Sequence, residues 1–64
     1  MIFETEPMSK AELNQFRRFL NEEIDTYYEI NKIEGGKFYV VIFEMTAHEE
    51  DVVMEWLEEN IEEK

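Results

Sequence analysis

Tyr27-Tyr28-Glu29-Ile30-Asn31-Lys32-Ile33-Glu34-Gly35-Gly36-Lys37-Phe38-Tyr39-Val40-Val41-Ile42-Phe43-Glu44-Met45 holds two β-rich segments joined by a Gly-Gly pair. Its β-branched and aromatic residues suit a pleated, half-buried surface. Both glycines can take positive φ, so Gly35-Gly36 reads as a two-residue hairpin turn between strands at 27–33 and 37–45. That turn sets Tyr28 opposite Phe43 and Ile30 opposite Val41, which builds one apolar face. Residues 38–43 are apolar on both faces, the mark of a central strand. Its second edge is expected to receive Met1-Ile2-Phe3, brought alongside and antiparallel by a crossover through the first helix.

A helix is expected on either side of the hairpin. Ser9 and Glu12 have capping-box spacing, Met8 and Leu13 can form a hydrophobic staple, and Pro7 lies harmlessly outside. Leu13, Phe16, Leu20 and Ile24 then recur at helical intervals with Phe19 beside them, predicting a helix over 10–24. Thr46 and Glu49 repeat the capping box, and Val53, Trp56, Leu57 and Ile61 form the stripe of a last helix, flanked by Val52 and Met54. The order is βαββα. It predicts an α+β fold, a short antiparallel sheet with both helices packed on one face, in one domain over 1–64.

The chain has 64 residues, so its core must be efficient: at this size only about 60% of the unfolded surface is buried. Hydrophobic residues make up 44%, with five Phe, three Tyr and one Trp, which is sufficient for a core. No cysteine is present, which excludes disulfides and thiolate metal sites. Residues 1–6 carry two acids and no base, unlike a signal peptide, and no apolar run is long enough for a bilayer span. The expected compartment is the cytoplasm. Charge is the outlying property: 17 acids against 6 bases leave −11. Such a field opposes direct binding of nucleic acid or anionic membrane and accelerates encounter with basic proteins.

Catalysis has little to work with. There is one Ser and one His; Ser9 is explained as a helix cap, and His48 lies in the first turn of the last helix among acids. No calcium-loop pattern and no second histidine supports a metal site, so neither cofactor nor dedicated metal is expected. Tyr27, Tyr28, Tyr39 and Trp56 lack the basic neighbours of a base-stacking surface and are read as packing residues.

The acidic pattern departs from what helix physics selects. Asp51, Glu55, Glu58 and Glu62 fall on one helical stripe with Glu59 and Glu63 beside it. Like charges at this spacing cost roughly 0.2–0.5 kcal/mol per pair. Glu58, Glu59, Glu62 and Glu63 also crowd the end of the helix where the macrodipole is already negative. The stripe therefore reads as a docking surface for a basic partner, extended by Glu22, Glu23 and Asp25 at the end of the first helix. Its carboxylates are spaced by about 4.5–6 Å along the axis, of the same order as phosphates on a DNA strand. A solvated surface that merely keeps the chain soluble is the plainer reading. A halophilic surface would share its acids between Asp and Glu, whereas this chain has fifteen Glu and two Asp.

In length, charge and the acidic run from Glu49-Glu50-Asp51 to Glu62-Glu63, the chain resembles the small acidic DNA-mimic proteins of bacteriophages. That resemblance implies a decoy that occupies the DNA-binding surface of a host protein in the bacterial cytoplasm. The histone-like nucleoid protein HU is the first candidate target, because its family grips DNA by shape and charge. Restriction enzymes, CRISPR effectors, repair glycosylases and RNA polymerase subunits are alternatives. The competing reading is an adaptor or regulator, monomeric or weakly dimeric, that binds through the edge of the 38–43 strand if the N-terminal strand leaves it free.

Overall fold

The computed structural model describes residues 2–61. Strand β1 (Phe3–Glu4) is followed by helix α1 (Lys10–Phe19), strands β2 (Tyr28–Ile33) and β3 (Lys37–Ile42), and helix α2 (Ala47–Asn60). The sheet is antiparallel in the order β1-β3-β2, with β3 central. The fold is α+β, with three strands and two helices.

Both capping boxes form. Ser9 Oγ accepts the Glu12 N–H at 3.2 Å while the Ser9 N–H donates to Glu12 Oε1 at 2.9 Å. Thr46 and Glu49 make the same reciprocal pair at 3.1 and 3.0 Å. Each box satisfies two amides that a helix start leaves free. The first helix covers the expected 10–24 but changes geometry on the way: its last turn, Leu20–Ile24, is a π-helix. Asp25 donates its N–H to the Leu20 carbonyl at 2.7 Å and stops the helix with φ 56°, left-handed.

The hairpin register differs from the expectation by one residue. The turn has three residues, Glu34–Gly36, so Tyr28 pairs with Ile42 and Ile30 with Val40, not with Phe43 and Val41. Both glycines do take positive φ, 84° and 73°. A one-residue slip exchanges the faces of a strand. Here it sends the compact Val40 and Ile42 beneath the helices and leaves Tyr39, Val41 and Phe43 on the other face. Since β3 is apolar on both sides, alternation alone could not choose between these arrangements.

The N-terminal strand starts two residues later and ends one later than expected, at Phe3–Glu4 instead of 1–3, and Met1 falls outside the described residues. Phe3 pairs with Ile42 and Glu4 with Val41. The ladder then continues irregularly. The Thr5 N–H donates to the Val40 carbonyl at 3.0 Å, and Thr5 Oγ1 accepts the Val40 N–H at 2.9 Å. After Glu6 and Pro7, Met8 and Phe38 exchange backbone bonds at 2.7 and 2.8 Å. Pro7 has no N–H to donate and sits where the segment leaves the ladder.

Leu13, Phe16, Leu20 and Ile24 from the first helix, Val53 and Leu57 from α2, and Val40 and Ile42 from β3 form one buried cluster, closed by Met8 and Met45. Both helices thus cover the same face of the sheet. The opposite face is open and unusually apolar. Ile2, Tyr27, Ile33 and Phe43, four of the five exposed large hydrophobic residues among the described residues, lie there by strand alternation. The Tyr27 and Phe43 rings are 6.0 Å apart.

Candidate protein-docking surface

Asp51, Glu55, Glu58 and Glu59 are exposed on the side of α2 opposite Val53 and Leu57, as helical periodicity requires. Glu49 and Glu50 occupy the first turn, where negative charge suits the macrodipole, but no base balances the last turn. Glu62 and Glu63 lie outside the described residues.

The structure joins part of this stripe to the end of the first helix. Phe19 and Trp56 stack at 4.8 Å with an interplanar angle of 14°. Phe16, fully buried, supports both rings from below, at 6.1 Å from Phe19 and 5.6 Å from Trp56. A cleft of about 380 Å³ on one side of the stack is lined by Gln15, Arg18, Glu22 and Glu23. A second, about 190 Å³, is lined by Val52, Glu55 and Glu59. Phe19 and Trp56 form a wall of both. Glu22 and Glu23 lie within the π-turn. Its wider i to i+5 pitch changes the phase of the residues it contains relative to an α-helix, and such turns recur at functional sites.

Three predicted members separate from that group, and Asp51, exposed on α2, borders neither cleft. Glu58 lines a different cleft, of about 220 Å³, together with Phe3, Glu4, Glu6 and Met54. Asp25 is exposed but lines none of these clefts, and its left-handed backbone gives it a structural task as the helix stop. Among the described residues, Arg18 is the one base lining the two clefts beside the stack, while Lys10 and Lys32 each hold Nζ 6.0 Å from the Phe38 ring, near the hairpin turn. Phe19 and Trp56 were read from the sequence only as packing residues; their place between two pairs of acids depends on how the helices dock.

The expected route for sheet-edge binding through 38–43 is closed, because β3 is paired on both sides. Only the outer edges of β1 and β2 remain. Ser9 is engaged as a cap and His48 is exposed at the start of α2. The described residues contain no group of three or more His, Asp or Glu placed to hold a metal ion. No described helix is long and apolar enough to cross a membrane. No protein-family model matches the chain, and comparison with curated proteins and with solved structures returned no match.

Proposed function

We propose that this chain is a protein-binding module that presents a carboxylate-covered helical side to a basic nucleic-acid-binding protein and competes with the nucleic acid for it. The observation that carries the reading is the convergence of Glu22 and Glu23 with Glu55 and Glu59 on either side of one aromatic pair. Two acidic segments far apart in sequence thereby become one surface. The net charge of −11 steers a cationic partner toward it. The same charge opposes contact with DNA itself.

An HU-type nucleoid protein is the first partner to test, since a decoy for it need imitate only charge and shape. Labelled duplex DNA bound to such a protein is titrated with the chain while anisotropy is followed. Release of the duplex, stronger at low salt than at high, is the expected result. No release at low salt, or binding of the labelled duplex by the chain alone, refutes the proposal.

The open face of the sheet favours a second reading. Ile2, Tyr27 and Phe43, brought together by the strand register at one end of this face, make an exposed apolar patch of the kind that marks interaction sites. An adaptor covering this face would bind with little dependence on salt and would not compete with DNA.

A further inference from the structure

The two acidic segments meet over rings, not over open solvent. Phe19 and Trp56 are half-buried: both pack on Phe16 and both border the two clefts. Four carboxylates and one guanidinium, that of Arg18, line those clefts, a net charge of −3.

We propose that this aromatic shelf seats arginine side chains of the partner, with a guanidinium stacked on the face of Trp56 turned away from Phe19 and its N–H groups turned to the flanking glutamates. The proposal rests on the basic-partner reading above and names the side chain that the surface selects. Carboxylates in water attract any cation; the rings supply discrimination. A guanidinium is planar and weakly hydrated, and it stacks on an indole while its N–H fork still reaches carboxylates at its edge. A lysine ammonium is compact and strongly hydrated; it can sit near a ring, as those of Lys10 and Lys32 do at Phe38, but it offers no planar stack with a donor fork at its edge. An apolar occupant would desolvate the surrounding carboxylates without pairing them. A second copy of this chain would bring the same sign of charge to the same place. Arg18 already stands in the larger cleft and repels an arriving cation, so Arg18→Gln is expected to strengthen binding.

Trp56 is the sole tryptophan and therefore reports on its own surroundings. The probes are octa-arginine and octa-lysine peptides of equal charge, each titrated into the whole chain at physiological ionic strength. Octa-arginine is expected to shift Trp56 emission and to bind about two- to fivefold more tightly than octa-lysine, the ceiling being what one exposed cation–π contact supplies. Glu55→Gln with Glu59→Gln weakens both peptides. Trp56→Leu, followed through a label on the peptide, abolishes the preference for arginine. Should that variant fail the circular-dichroism check for folding, Phe19→Leu replaces it, keeps the Trp56 reporter, and is expected to reduce the preference. Equal binding of the two peptides with unchanged Trp56 emission overturns the arginine seat and leaves the basic-partner reading standing. A preference for arginine that survives Trp56→Leu also overturns it. Binding of neither peptide overturns both.

Discussion

Thr5→Val removes one oxygen and nearly preserves the shape of the side chain. Thr5 is the buried polar residue of the described core, 8% exposed. Its Oγ1 accepts the N–H of Val40, which is fully buried, so no water can replace the lost acceptor. A buried donor left without a partner costs about 1–3 kcal/mol. A domain of this size is held by only about 3–10 kcal/mol, at 0.05–0.15 per residue. Near the middle of the range, about 2 kcal/mol, the melting temperature falls by about 8–16 °C. Urea unfolding followed by Trp56 fluorescence measures the change directly, and the midpoint should fall with the slope unchanged. Exchange of the Val40 amide with deuterium should accelerate beyond the global change. Thr5→Ser retains the hydroxyl and should lose less. Stability within about 0.3 kcal/mol of the parent, below the expected penalty, would refute the claim that the Thr5 hydroxyl completes the ladder.

Replacing Gly35 and Gly36 together by Val forces two β-branched residues to positive φ, at about 1–2 kcal/mol each; a melting temperature within a degree or two of the parent contradicts the turn. Asp25→Gly relieves the left-handed backbone and should raise stability by up to about 1 kcal/mol without weakening partner binding. A loss of affinity in that variant would return Asp25 to the docking surface. Glu55→Gln, Glu58→Gln and Glu59→Gln together relieve like charges and the unfavourable dipole at the end of α2, stabilising the fold by on the order of 1 kcal/mol. The same triple variant should associate with a basic partner at least about tenfold more weakly, mainly through slower encounter; unchanged affinity at low salt removes α2 from the interface.

Local chemistry was readable where one residue type answers one need. Ser9 with Glu12 and Thr46 with Glu49 announced both helix starts, since few side chains can satisfy free amides at that spacing. Gly35 and Gly36 announced the turn for the same kind of reason. The register was not readable, because Val40-Val41-Ile42-Phe43 offers an apolar side chain to either face and the decision falls to whichever pair packs better beneath two helices. The π-turn also left no trace, since Leu20 and Ile24 keep the four-residue interval of an ordinary helix. Of the candidate surface, the acids of α2 were legible from periodicity, whereas their junction with Glu22 and Glu23 across Phe19 and Trp56 belongs to tertiary packing.

The clip at Thr5 has a consequence for the order in which the molecule comes apart. The bond to Val40 spans 35 positions, whereas β2 and β3 are joined by a three-residue turn. Closing the longer loop fixes more chain for fewer bonds, so the hairpin can form early and β1 seats late. Opening is expected to run in reverse, beginning with departure of residues 3–8 from β3. That event bares a strand of alternating Phe38, Val40 and Ile42 with its N–H and C=O groups free, a template for pairing with another chain. The bond at the Thr5 hydroxyl is thus one of a set, with those of Phe3, Glu4 and Met8, that keeps this strand paired in the intact sheet.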